Sequence, residues 1–232
     1  MGNDGVRDLT AEDLDWVLDL SEARRRRLAS YAPRFWNPAD NARTRHATFL
    51  GDQIDNPEIR SLRTDHGFVF AAPGRIMIID DLAVADEALW PTEGVALLRR
   101  AGGDSLVRVV CPVPEPRRRD AVRSLGLELA ESWWTKNLAS STRIIPYENR
   151  HLRVPGAAGK LVTAPPVYSP GGPVLLITEA DGVAAMAELE HQATVRGARV
   201  AVVSQPGADV PDGAALREAG YTRTSDFHHG RL

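Results

Sequence analysis

The sequence predicts an α/β protein with mixed sheets, helices on both faces, a complete N-terminal unit and a partial C-terminal repeat. Three observations carry this. Segments of strand period and helix period alternate along most of the chain. The order strand–helix–strand–helix–strand occurs twice, and the two occurrences are related by a constant offset of 94 residues. The composition agrees: 232 residues, 43% hydrophobic and 25% charged, are those of a globular chain with a packed core.

Taken in order, Val6-Arg7-Asp8-Leu9 is a short extended segment. Thr10 to Asp13 reads as a capping box, and Leu14, Val17, Leu18 and Leu28 recur at helical spacing behind it. The outer face of that helix carries Arg24 to Arg27, read as a solvated helix end. Pro33 and Pro38, set among Tyr31, Phe35 and Trp36, stop the helix and make a stiff aromatic connector. A second helix is expected over 39–54. From Ile59 the period becomes that of strands, over 59–65, 68–72 and 75–84, divided by His66-Gly67 and Pro73-Gly74. Ile76 to Val84 is the strongest strand, apolar until Asp80 and Asp81 interrupt it, as suits a central strand ending at a site. A loop leads to a helix over 92–101, a strand from 106, a helix over 117–125 and a strand over 127–138. A polar, Pro/Gly-rich stretch from Ser140 to Pro173 holds at most two short strands. The same order then returns from Val174 to Leu232.

The repeat rests on aligned positions. Gly103 and Gly197, Val109 and Val203, Pro112 and Pro206, Arg123 and Arg217, Gly126 and Gly220, and Leu138 and Leu232 all stand at the common spacing. The second copy has no counterpart of the two N-terminal helices. We therefore expect two domains, 1–139 and 140–232. The partial copy either closes over the first or pairs with a second chain as a homodimer.

Asp81 to Asp86, Pro91-Thr92-Glu93-Gly94-Val95-Ala96 and Asp120 to Leu127 together resemble the GCN5-related N-acetyltransferase (GNAT) superfamily. The resemblance covers residues 5–138 and, more weakly, 173–232, so the whole looks like a tandem GNAT. It implies acetyl-CoA as cofactor and N-acyl transfer to a small amine. Backbone N–H groups around Thr92, Glu93, Gly94, Val95 and Ala96 would cradle a pyrophosphate. The strand backbone of Leu82, Ala83 and Val84 would pair with the pantetheine arm, with the Val84 N–H as oxyanion donor. The departures are equally specific. Pro91 stands where the family has Arg or Gln, Glu93 puts an acid inside the cradle, and no tyrosine follows the fourth helix to act as acid. Glu179-Ala180-Asp181-Gly182-Val183 in the second copy has no glycine pair and two acids, so that lobe is expected not to hold cofactor.

Asp80 or Asp81 is the candidate base, since a carboxylate in an apolar strand has its pKa raised by desolvation. Strand alternation would aim one at each side of the sheet. Pairing with nearby arginines is the structural alternative. Tyr31, Arg34, Phe35 and Trp36 suit a flat or carboxylate-bearing part of an acceptor, or else seal the helix pair onto the sheet. His228 and His229 are adjacent on a strand and read as an exposed pair, not joint metal ligands. Cys111, the one cysteine, reads as buried and inert. No metal is expected. A net charge of −3 offers no basic field to nucleic acid. The apolar runs are far too short for a bilayer, and Met1 to Gly5 lacks a signal pattern, so a cytoplasmic protein is expected. The alternative to an acetyltransferase is a GNAT-like ligand-binding or interaction module that has lost the chemistry.

Overall fold

A computed structural model of the chain describes residues 5–140, 150–207 and 213–232. Residues 1–4 and 141–149, which carry the expected absence of a signal and the start of the polar stretch, lie outside the described residues. The described chain is mixed α/β, and its elements follow the expected order. They are β1 (Arg7–Asp8), α1 (Leu14–Tyr31), α2 (Ala42–Asp55), β2 (Arg60–Arg63), β3 (Gly67–Ala72), β4 (Met77–Val84), α3 (Val95–Gly102), β5 (Leu106–Pro112), α4 (Pro116–Ser124) and β6 (Glu128–Asn137). The second series is β7 (His151–Val154), β8 (Ala157–Val162), β9 (Val174–Ala180), α5 (Val183–Thr194), β10 (Val200–Pro206), α6 (Ala214–Glu218) and β11 (Thr222–Arg231).

The chain packs as two compact units, and neither is continuous in sequence. Unit 1 takes the chain up to Arg27, Arg43–Ala130 and Ser225–Leu232; unit 2 takes Leu28–Ala42 and Glu131–Thr224. This differs from the single division expected after residue 139, for reasons visible in the hydrogen bonds. β5 needs an antiparallel neighbour and finds it in β11, with Leu106 opposite Arg231 and Pro112 opposite Ser225. β10 likewise pairs with β6, Val200 opposite Asn137 and Pro206 opposite Glu131. Each pairing is thus the other displaced by 94 residues. The aromatic connector joins unit 2 because Tyr31 and Arg34 bond to the carbonyls of Arg223 and Leu138, and Pro38 bridges to Tyr168.

In unit 1 the strand order is β1-β2-β3-β4-β5-β11, with β4 and β5 parallel. Helices cover both faces. Leu97 and Leu98 of α3 and Val122 of α4 bury against Ile79 and Val109. On the other face Val17, Leu18 and Leu50 of α1 and α2 pack on Phe68, Phe70 and Ala83. Burying each such side chain contributes roughly 1.5–3 kcal/mol, so this double-sided seal fixes β4 in the middle of the unit. The start of α1 is tied down as the capping pattern predicts: Asp13 accepts the Thr10 N–H at 3.0 Å and pairs with Arg63.

In unit 2 the order is β6-β10-β9-β8-β7. Met186, Leu189 and Ala193 of α5 cover Leu152, Leu161, Leu175 and Ile177. Val174, Val200 and Val202 face the other way, against Phe35 and Trp133.

Candidate functional site

The local sequence bends β4. Val69 of β3 opposes Leu82, but Ala71 opposes Ile79, so one extra residue of β4 is accommodated between them. The bulge falls at Asp80-Asp81, where two short charged side chains interrupt an apolar strand. It changes the phase of the strand: Met77 and Ile79 before it, and Leu82 and Val84 after it, all enter the core shared with α3 and α4. Both aspartates are consequently displaced toward the α1–α2 side, where Ala83 also packs. The expectation that strand alternation sends one to each side is corrected by the bulge.

The same irregularity parts β4 from β5. They pair only from Met77 to Ile79, against Val107 to Val109. Beyond that point each strand continues without the other, leaving a notch beside Leu82, Ala83 and Val84, the backbone expected to pair with the pantetheine arm.

Arg118 fills that notch. It extends from the inward face of α4 and is wholly buried. Its Nη1 donates to the carbonyl of Leu82 at 2.9 Å and its Nη2 to that of Asp80 at 3.2 Å. Nη1 also reaches Glu115 at 3.3 Å, and the buried Glu115 carboxylate accepts from Arg24 at 2.8 and 3.3 Å. Burial works against the charge on Glu115, but Arg24 and Arg118 outweigh it and hold the carboxyl below its usual range.

The expected phosphate cradle is similarly engaged. Asp86 caps the Ala88 N–H at 2.8 Å, and the chain then winds continuously through Glu87–Leu89, a wide turn at Trp90–Gly94, and α3. Thr92 to Ala96 therefore lie within a helical run and not at its open end. The Val95 N–H donates back to the carbonyls of Trp90 and Thr92. Gly94 faces the buried Trp90 indole so closely that a Cβ there would lie 2.3 Å from a ring carbon. Glu93 turns away to accept from the His66 N–H at 3.1 Å, from His66 Nδ1 at 2.8 Å and from Thr64. Burial opposes its charge, yet these bonds hold it below the usual carboxylate range. Leu82, Ala83 and Val84 are all buried. A coenzyme A arm needs an unengaged strand edge and amides open to phosphate. The Leu82 carbonyl and the Val95 amide are both taken, so these residues do not fit the cofactor.

On the α1–α2 side the groups are differently poised. A guanidinium can only donate, so Arg25 Nη1, 2.8 Å from His46 Nδ1, makes that nitrogen the acceptor. The ring proton then sits on Nε2, 3.4 Å from Asp81 Oδ1. Burial would raise Asp81, but the His46 hydrogen bond, with Arg24 and Arg25 nearby, brings it below its ordinary value. Asp80 keeps a solvent-accessible face and has no side-chain hydrogen bond or ion pair among the described residues. Crowding by protein, then the Asp81 charge, raise it against the pull of Arg24 and Arg118. Two adjacent carboxyls are thus driven apart, one ionised and held, the other open and more readily protonated.

The connector residues and the other candidates make these contacts. Tyr31 Oη donates to the Arg223 carbonyl at 3.0 Å and Arg34 to that of Leu138 at 2.9 Å. Trp36 is buried, with Tyr31 and Phe35 ring centroids at 6.3 and 5.3 Å. These four belong to unit 2, whereas Asp80 and Asp81 belong to unit 1. His228 is buried, not exposed, with Nδ1 3.4 Å from the Leu127 carbonyl. Cys111 is buried, and burial pushes its thiol up to about 12. Arg24 and Arg25, read from sequence as solvated, turn inward to Glu115 and His46. Arg118 was missed altogether. The available signal was its spacing: Arg118, Ala121, Val122 and Leu125 fall on one helical stripe.

No protein-family model matches the sequence, and a search of curated proteins finds no match. Solved structures do resemble it. A GCN5-related N-acetyltransferase from Sphaerobacter thermophilus superposes with a TM-score of 0.58 at 10% identity, covering 97% of this chain and 95% of that one. A proposed acetyltransferase from Thermoplasma acidophilum gives 0.56 at 10% identity over 98% and 99% of the two chains. One from Pyrococcus horikoshii gives 0.53 at 11% identity, over 100% and 90%. At such identities the likeness is one of fold.

Proposed function

We propose that this chain, which has the fold of the GCN5-related N-acetyltransferases, binds a small amine at Asp80 and does not use acetyl-CoA in the β4–β5 notch. One observation carries the reading: the buried Arg118 guanidinium already holds the β4 carbonyls that an inserted cofactor arm would need. The other half of the site supports it. Asp80 is an acceptor open to solvent, backed by the Asp81 charge and flanked by the exposed side chain of Ile78. A protonated amine would hydrogen-bond to Asp80 and lower its pKa on binding.

The second reading is an acetyl-CoA-dependent N-acyltransferase with Asp80 as the base toward the amine. It is favoured by the opposed titration of Asp80 and Asp81, and it requires Arg118 to leave the notch. Both readings share a cytoplasmic setting, no nucleic-acid or membrane partner, and descent of the two halves from one duplicated unit.

Calorimetry separates them. The first reading expects no heat from millimolar acetyl-CoA, and heat from a panel of primary amines that Asp80→Asn abolishes. Micromolar binding of acetyl-CoA would overturn it in favour of transfer.

A further inference from the structure

In unit 1 the sheet face turned away from α3 is apolar and sealed: Phe68, Phe70 and Ala83 lie beneath α1 and α2. The corresponding face of unit 2 is built differently. Leu152 and Leu161 point to α5, so their neighbours on β7 and β8 point to the opposite face. There Val162 meets the Phe35 cluster, but two residues earlier the same face carries Lys160. His151 stands directly opposite Lys160 in the antiparallel register, and Arg153 follows His151 on the same face. A cleft of about 460 Å³ opens over these three residues, Thr178 and Glu179.

Arg153 and Lys160 place two cationic side chains on one sheet face of neighbouring strands, where like charges repel. Neither Arg153 nor Lys160 forms an ion pair or side-chain hydrogen bond among the described residues. Glu179, the acid at the rim, lies across from Ala158 and pairs with neither. The register shift at Ala158/Gly159 makes Thr178 the extra residue of β9 at this point, and its Oγ1 donates to the Ala158 carbonyl at 3.2 Å. The cleft is of ligand size, within the roughly 300–1,000 Å³ of small-molecule sites.

We infer that this cleft on β7–β8–β9 is a binding site for a small molecule bearing a phosphate monoester, with Arg153 and Lys160 as its anion-holding residues. Arg153 supplies a planar fork that takes two phosphate oxygens, and Lys160 a point charge beside it. His151 borders the site from the edge strand. The inference is independent of the amine reading, since every residue it uses belongs to unit 2.

The test is calorimetry of the full chain with inorganic phosphate and with phenyl phosphate at low and moderate salt. Saturable binding is expected with both, weakening as salt rises. Arg153→Gln and Lys160→Gln should each weaken it at least tenfold, and Glu179→Gln should strengthen it. Arg217→Gln, elsewhere in unit 2, should leave it unchanged. These positions lie on an open sheet face, and circular dichroism checks that each variant is folded. Absence of phosphate binding, or binding that Arg153→Gln and Lys160→Gln leave intact, would overturn the assignment.

Discussion

Arg118 Nη1 lies 2.9 Å from the Leu82 carbonyl oxygen, and this one bond closes the edge that β4 turns toward β5. The β4–β5 pairing ends at the Asp80-Asp81 bulge, but the chain's own side chain completes the hydrogen bonding there. The cationic plug is tolerable only because Glu115 is buried with it, and Glu115 in turn is held by Arg24.

Removing one member of that network should therefore be severe. Arg118→Ala leaves the Leu82 carbonyl unpaired and the buried Glu115 carboxylate short of a partner, at a cost of about 3–5 kcal/mol. Urea titration should show the midpoint falling at unchanged slope. Replacing the pair together, Arg118→Met with Glu115→Leu, is expected to recover part of the loss, because the apolar pair leaves no unpaired charge between those positions. Equal midpoints for wild type and Arg118→Ala would mean that Arg118 does not hold the notch.

Acid should loosen the same network. The Glu115 carboxyl is depressed in the folded chain, so its contribution is fully present above its unfolded value, about 4.3. It is lost as the pH falls through the lower folded value. Asp13 and Glu93, also depressed, act in the same sense. Urea midpoints measured between pH 3 and pH 6 should thus rise with pH, and Glu115→Gln should flatten part of that slope. A slope unaffected by Glu115→Gln would place the acid sensitivity elsewhere.

Much of this architecture was legible in the sequence, and the gaps have physical causes. Strand period, glycine punctuation and the 94-residue offset located the elements, because those signals are local. β5 and β10 begin and end at that offset, as do β6 and β11. The exchange of final strands was not legible, since pairing partners are chosen by edges and not by neighbours in sequence. Asp80 and Asp81 were found because charge in an apolar strand is conspicuous. Their common side was missed because a one-residue bulge leaves no mark in composition. Arg118 was hidden inside a run of arginines (Arg117 to Arg119), where helical phase alone distinguishes the buried one.

Gly94 offers a test of the engaged cradle. Its backbone is ordinary right-handed helix, φ −61° and ψ −42°, so glycine is not needed there for conformation. It is needed for space, because an added Cβ would come within 2.3 Å of Trp90. Gly94→Ala should gain helix propensity of up to about 1 kcal/mol yet lose more, roughly 1–3 kcal/mol, to overpacking against the indole. Thermal melting is expected to show a net fall, restored when Trp90 is shortened to Leu in the same chain. A rise in melting temperature for Gly94→Ala alone would show that the indole yields and that the turn is not plugged.

Asp80→Asn separates function from architecture. The Asp80 carboxyl is raised in the folded chain, so its ionisation disfavours the fold: stability declines as the pH rises from the unfolded value toward the folded one. The amide keeps the shape and removes the charge beside Asp81. At pH 7 the variant should melt above wild type, and near pH 3, where wild-type Asp80 is protonated in both states, the difference should vanish. Amine binding should be lost in the same variant, because the charge that would hold an ammonium group is gone. Lower melting at pH 7 would instead mean that Arg24 and Arg118 hold Asp80 as a structural partner, and the amine site would have to lie elsewhere.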